Sequence, residues 1–357
     1  MSRSGHDAYL GLIRGERRGV VPALVRSALS VASAGYRVAV GVRNLGYDRG
    51  WLAVHRAEVP VVSVGNLTVG GTGKTPMVEW IARWYRGRGR RVAILSRGYG
   101  QTAGLNDEGR VLEENLPDVP HLQNRDRFAM ARIAVEELES EVLVLDDAFQ
   151  HRRLARDLDI VLIDALEPFG TGRLLPRGLL REPVGSLRRA NLVVLSRADL
   201  ISPADRRAIR AEAERRAGPL RWVMARHAPR SLVDSEGVEY PLAEIAGARI
   251  SAFCGIGNPE GFRRTLLPIT GELVDLRTFP DHHPYDAADV RSLGDWAART
   301  RAQVVLTTQK DLVKLRCDEI GPLPLRALTI GLDLIEGVEV MEKALARLVA
   351  TLSPSAG

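Results

Sequence analysis

The chain has 357 residues, 45% hydrophobic and 26% charged, with a formal net charge of +6. This suits a soluble globular protein of about two domains, each large enough to bury its own core. Cys254 and Cys317 are too far apart for a disulfide scaffold or a zinc-ligand set, and 5% aromatics with no basic stretch interleaved with them argue against a nucleic-acid surface.

Positive charge is concentrated at the start, where residues 1–50 carry eight arginines against three acids. Between Val20 and Val42 the apolar pattern is broken by Arg26 and Arg37, which are costly in hydrocarbon, so no transmembrane span is expected. Nor does the segment have the compact apolar region and cleavage site of a signal peptide. At ~100° per residue, Leu24, Ala28, Val31, Gly35, Val38 and Val42 fall on one side of a helix, with Arg26 and Arg37 near the opposite side. Such a helix either lies in a membrane interface, its arginines drawn to anionic headgroups, or packs its apolar side on the protein's own core.

Residues 59–64 form a β-branched run that reads as a short buried strand, followed by a glycine-rich turn and the helical pattern of residues 77–82. Gly73-Lys74-Thr75 at a strand-to-helix junction is what a phosphate-binding loop requires, because small residues let backbone N–H groups close around an anion at a helix N-terminus. Lys74 is then placed for the β- and γ-phosphates and the Thr75 hydroxyl for Mg²⁺. The general pattern G-x-x-x-x-G-K-[ST] would put a glycine at position 68, where this chain has Thr68.

A second strand over residues 90–97 ends at Arg97, which is suited to a phosphate or headgroup or is a plain surface arginine. Residues 101–127 read as an irregular polar connection with a turn at 106–109, followed by a helix over 128–138. Residues 141–145 are an apolar run ending in Asp146-Asp147, the pattern of a Walker B strand whose acid holds Mg²⁺. His151 follows near the same edge. Residues 159–164 and 190–196 are further buried-strand candidates. The loop between them carries Arg173, Arg177, Arg181 and Glu182, a set suited to gripping an anionic substrate.

After a charged helix over 201–218, two short strands (221–226 and 237–240) suggest a linker. A second α/β segment starts with a strand over 250–254. Its Gly255 and Gly257 give only part of a dinucleotide-binding fingerprint. Residues 278–285 hold His282 and His283, too few for a metal site without further ligands. A strand over 303–308 runs into Thr308-Gln309-Lys310-Asp311, and an amphipathic helix over 338–352 closes the chain. Helix–strand alternation predicts an α/β fold: a P-loop NTPase-like parallel-sheet domain and a smaller α/β domain, joined by a β-stranded linker and preceded by an amphipathic helix. The expected divisions are residues 1–50, 51–218, 219–246 and 247–352.

The phosphate loop ending in Gly73-Lys74-Thr75-Pro76, Ser96-Arg97-Gly98-Tyr99-Gly100, Asp146-Asp147-Ala148-Phe149-Gln150-His151, Leu175-Pro176-Arg177-Gly178-Leu179-Leu180-Arg181-Glu182 and Phe279-Pro280-Asp281-His282-His283 occur in this order. Together they resemble the tetraacyldisaccharide 4'-kinase (lipid A 4'-kinase) family, which shares the departure at Thr68. The resemblance implies transfer of the ATP γ-phosphoryl group to the 4'-hydroxyl of an acylated glucosamine disaccharide 1-phosphate. It also implies peripheral attachment to the cytoplasmic face of the inner membrane through the N-terminal helix; no protein partner is predicted. Carried over by residue, it places Thr68, Val69, Gly70, Gly71, Thr72, Gly73, Lys74 and Thr75 around the ATP phosphates. Thr75 and Asp146 would serve Mg²⁺, with Asp147 and Glu182 as further ligands or polar partners and His151 as a nearby polar partner only. Asp107 would be the base on the sugar hydroxyl, paired with His282 or His283, although Asn106 and Gly109 replace the family's flanking Gly and Pro. Arg177 and Arg181 are candidates to read the lipid's 1-phosphate.

The rival from another class is a P-loop GTPase or metallochaperone-type nucleotide switch. It would need an Asn/Thr-Lys-x-Asp guanine reader, which neither Ser196-Arg197-Ala198-Asp199 nor Thr308-Gln309-Lys310-Asp311 supplies.

Overall fold

The computed structural model describes residues 3–98 and 107–350; the expectations for Tyr99, Gly100, Asn106 and residues 351–352 lie outside the described residues. Two helices, α1 (Arg3–Arg14) and α2 (Val20–Asp48), precede a first lobe. That lobe runs β1 (Val61–Asn66), α3 (Lys74–Arg86), β2 (Val92–Ser96), α4 (Asp107–Asn115), β3 (His121–Gln123), α5 (Arg127–Glu136), β4 (Val142–Leu145), β5 (Leu158–Asp164), β6 (Leu192–Ser196) and α6 (Pro203–Ala217). The chain leaves through β7 (Trp222–Val233) and β8 (Glu239–Tyr240). The second lobe is β9 (Arg249–Cys254), α7 (Pro259–Leu266), β10 (Glu272–Thr278), α8 (Ala287–Thr300), β11 (Val304–Thr308), α9 (Gln309–Leu315) and β12 (Glu319–Ile320). It returns along β13 (Leu323–Glu336) to α10 (Val338–Val349).

The main sheet runs β10-β9-β11-β13-β7-β6-β5-β1-β4-β2-β3. The first lobe's strands are parallel, as are β10, β9, β11 and β13 of the second, where only the short β12 runs antiparallel to β13; the lobes meet where β13 pairs antiparallel with β7, Leu332 opposite His227. The first-lobe strands β1, β2, β4, β5 and β6 are buried along their whole length, as apolar strands covered on both faces must be. Their carboxyl ends face one edge, where ligands collect in such sheets.

Three expectations are corrected here. The connection over 101–127 is not irregular throughout: it contains α4, which starts at Asp107, and β3. The linker is not the single segment 219–246. It is a ribbon of β7 with β13, a strand that a local pattern cannot assign because its partner is about a hundred residues away. Finally, α10 does not stay with the second lobe. Met341 and Leu345 join the core over α3, Trp84 Nε1 donates to Glu342 at 3.0 Å, and the Tyr85 hydroxyl donates to the Leu345 carbonyl at 3.1 Å.

The 29 residues of α2 bury only Ser33, Val40, Asn44 and Gly46. The apolar side foreseen from periodicity points outward: Leu24 is 64%, Val31 75% and Val38 65% exposed. The reading in which that side packs on the protein's own core is therefore not the one the structure adopts. Among the described residues no helix is long and apolar enough to cross a membrane.

What fixes α2 is Glu182, whose side chain is fully buried. It accepts from Arg43 (2.8 Å), Asn44 (3.0 Å) and Arg189 (2.9 Å). Breaking a buried charge set by removing one partner leaves cations desolvated without a counter-charge. Glu182→Ala is therefore expected to destabilise the fold by roughly 3 kcal/mol and to free α2 to protease, measured by urea unfolding and limited proteolysis.

Candidate active site

The loop from Leu67 to Gly73 is braced from several sides. Val69 N–H donates to the Leu179 carbonyl at 2.9 Å and Arg181 N–H to the Leu67 carbonyl at 2.7 Å. Asn66 Nδ2 donates to Thr72 Oγ1 at 3.0 Å, and Ser196 Oγ to the Thr72 carbonyl at 2.8 Å. Arg197, paired with Asp164, donates to the Gly71 carbonyl at 3.2 Å. Gly73, at φ 90, is the turn into α3; a Cβ there would lie 2.4 Å from His227 Nε2 on β7, so only glycine fits. Gly70 and Gly71 face open space, leaving the helix N-terminus and its amides accessible to an anion.

The loop lines a cleft of about 890 Å³ between the lobes. At the ends of β1 and β4, Asp147 lies between two cations: Arg181 donates to both its oxygens at 2.8 and 2.9 Å, and Lys74 Nζ is 3.5 Å away. Burial works against the charge on Asp147, but Lys74 and Arg181 outweigh it and hold the carboxyl down at about 2. Asp146 differs. It is buried, its Oδ1 has no hydrogen-bond partner, and burial with the charges of Glu108 and Asp147 pushes its carboxyl well up. Arg127, itself buried, donates to the Asp146 carbonyl at 2.6 Å and fixes the strand end.

The second lobe supplies the far wall. His282 Nδ1 is 3.1 Å from Asp107 Oδ2, and Lys314 Nζ is 3.6 Å from the same oxygen. Next to them Lys310 on α9 pairs with Glu108 on α4. Burial disfavours the charge on Asp107, yet the hydrogen bond from His282 and the Lys314 and His282 charges bring its carboxyl below the usual value. That hydrogen bond also raises the imidazole of His282 above its ordinary value. The rivalry between the two histidines is resolved by geometry, since His283 Nε2 is committed to Asp289 at 2.6 Å and its ring packs against Phe279 and Tyr285. Both Asp147 (φ 48) and His282 (φ 58) adopt left-handed backbone, uncommon for non-glycine residues and concentrated at functional sites.

Gly70, Gly71, Thr72, Gly73, Lys74, Thr75, Asp107, Asp146, Asp147 and His282 thus meet in one cleft. Thr68 and Val69 lie behind the loop, where Thr68 bridges to Leu180. Glu182 is not among them: both its oxygens serve the α2 attachment, so it is corrected from metal partner to structural anchor. His151 is likewise outside the cleft lining, its imidazole held down at about 4 by burial and the charges of Arg127 and Arg156. Local pattern reading passed over Glu108, Arg127, His227, Lys310 and Lys314. The signal for Lys310 was present, since Thr308-Gln309-Lys310-Asp311 ends a strand at the ligand-binding edge.

The donors suit a hard divalent cation of the magnesium type. Such a cation uses one or two carboxylates, a hydroxyl and phosphate oxygens rather than a full protein cage. The unpartnered Asp146 Oδ1 and the Thr75 hydroxyl offer that set, whereas the oxygens of Asp147 are occupied by cations.

The sequence model of the tetraacyldisaccharide-1-P 4'-kinase family (LpxK) matches residues 25–349. A protein of Anaeromyxobacter dehalogenans named tetraacyldisaccharide 4'-kinase is 44% identical over 351 residues, 93% of each chain. One of the same name from Syntrophus aciditrophicus is 40% identical, covering 85% of this chain and 87% of its own. The solved structure of Aquifex aeolicus LpxK in complex with ATP is similar, with a TM-score of 0.70 and 30% identity, over 91% of this chain and 99% of that one.

The pairing of His282 with Asp107 has a measurable consequence. Asp107 and Glu108 on α4, Asp281 beside it and Lys310 on α9 all face the imidazole, and the net effect is upward. The charged pair is therefore complete below the ordinary histidine value of about 6.5 and is lost as pH rises through the raised value. Imidazole NMR of Asp107→Asn should show His282 titrating at lower pH than in the parent chain; an unchanged titration would dissolve the pair.

Proposed function

The chain belongs to the tetraacyldisaccharide-1-P 4'-kinase family and is an ATP-dependent kinase of lipid A synthesis; we propose that Asp107 and Lys74, drawn together in the inter-lobe cleft, carry the transfer to the 4'-hydroxyl of an acylated glucosamine disaccharide 1-phosphate. The observation carrying this reading is that the Asp107–His282 pair and the Lys74–Asp147–Arg181 set line one cleft.

Phosphoryl transfer asks the protein mainly for positioning and charge neutralisation. Loop amides and Lys74 hold the phosphate oxygens of ATP, and Asp147 keeps the Lys74 ammonium aimed at the cleft. Thr75 and Asp146 would hold Mg²⁺, which when bound neutralises phosphate charge. Asp107, kept ionised by Lys314 and turned by His282, takes the proton of the attacking hydroxyl; Glu108 and Lys310 fix the distance between α4 and α9. The reaction thereby draws on both lobes, and the β7–β13 ribbon sets their spacing.

The nucleotide-switch alternative is not favoured. Arg197 at the guanine-reader position is spent on Asp164 and the phosphate loop, and Lys310 on Glu108.

The exposed apolar side of α2 supports peripheral attachment to the cytoplasmic face of the inner membrane, with basic residues at headgroup level. Replacing Leu24, Val31 and Val38 by Ser should lower binding to lipid vesicles without shifting the unfolding midpoint, since none of the three is buried; equal flotation would separate α2 from the membrane.

A transfer assay from labelled ATP to the acylated disaccharide, run against simple sugars, tests the activity. A general base is worth roughly 10²–10⁴ in rate, so Asp107→Ala should lose about that factor in kcat while ATP affinity stays within a few-fold. Near-parent turnover would remove Asp107 from the role.

A further inference from the structure

Away from the catalytic cleft, a second cavity of about 300 Å³ lies between α2, the 172–184 loop and the end of α6. Arg37, Arg173, Arg177 and Arg216 line it and no acid does. Arg216 is matched by Glu212 at 2.5 Å. Among the described residues the other three have no carboxylate within ion-pairing distance; Arg177 donates to the Ile13 carbonyl at 2.7 Å. Burial lowers the Arg177 guanidinium below its ordinary value, and repulsion from Arg173 and Arg26 adds to it. A cluster of this kind is costly in isolation and favourable around an anion.

The same loop divides its arginines. Arg181 turns to Asp147 and the catalytic cleft, whereas Arg173 and Arg177 turn to the second cavity. Guanidinium groups match phosphate and carboxylate oxygens alike in pairs, and three of them around one cavity suit the higher charge and the extra oxygens of a phosphate. The neighbouring helix selects the source. The outward side of α2 is apolar and Arg37, on the opposite, polar side, lines the cavity, so a helix lying in the interface on its apolar side would hold the opening at headgroup level.

We propose that the cavity formed by Arg37, Arg173 and Arg177 binds a lipid-borne phosphate group distinct from the transferring one. This rests on the lipid-kinase reading above. Two sources share the chemistry: the 1-phosphate of the acylated disaccharide, or the headgroup of an anionic phospholipid.

The test uses the full chain carrying Arg37→Ala with Arg173→Ala, two exposed residues whose loss should leave the unfolding midpoint unchanged. In one arm, flotation compares vesicles of phosphatidylcholine alone with vesicles also containing phosphatidylglycerol. In the other, KM is measured in neutral detergent for the acylated disaccharide with and without its 1-phosphate. Basic residues near an anionic surface each contribute severalfold, so roughly a tenfold loss is expected for the pair. Loss confined to the phosphatidylglycerol vesicles identifies the phospholipid headgroup. A rise in KM confined to the 1-phosphorylated acceptor identifies the substrate's own phosphate. In either case the double Lys variant should recover only part of the loss, because an ammonium keeps the charge without the paired donors. If neither quantity moves, or if the losses are the same for neutral and phosphorylated lipids, the site is overturned. Turnover by the unaltered chain, measured in parallel, tests the kinase reading separately, because the vesicle arm requires no activity.

Discussion

The antiparallel register of β7 against β13 links two parallel sheets that would otherwise be separate. Through it the second lobe's strands extend the first lobe's sheet, and the ligand-binding edges of both face one cleft. The same ribbon reaches the phosphate loop directly. His227 on β7 fills the space that a side chain at Gly73 would need, so the turn into α3 and the spacing of the lobes share a contact. The Nε2 of His227 is buried, and burial and Arg197 hold the imidazole down at about 3, so it remains neutral packing there rather than a competing cation.

Within that frame the charges are sorted by how many partners each has. Asp147 is surrounded by Lys74 and Arg181, and its charge serves to aim them. Asp146 keeps an oxygen without a partner and is the carboxylate left to meet a cation. Asp107, on α4 of the same lobe, is held below the usual carboxylate value by its neighbours and paired with an imidazole from the other lobe. Two adjacent acids thus stand in different surroundings, one between two cations and the other buried with an oxygen left unpartnered.

Much of this was legible in the sequence. The phosphate loop, the apolar strand ending in paired aspartates and the basic amphipathic helix are local patterns, each set within a few residues. The parts that escaped are non-local. β13 cannot be recognised as half of a linker without its partner, and α10 returns to the first lobe because of Trp84 and Tyr85, far away in the chain. Glu182 misled for the same reason: an acid beside an arginine-rich loop has the same local pattern whether it faces a metal or three side chains from α2 and its surroundings. Asp107, embedded in what reads as a polar turn, became a site residue only through resemblance and through the approach of His282.

The central claim is that Asp107 and His282 act as one unit across the lobes. The direct measurement is a double-mutant cycle on kcat at saturating ATP and acceptor, with Asp107→Asn, His282→Ala and the two combined. Residues that work as a unit are strongly non-additive. The account predicts that the double variant is about as slow as Asp107→Asn alone; losses that multiply as for independent sites would contradict it.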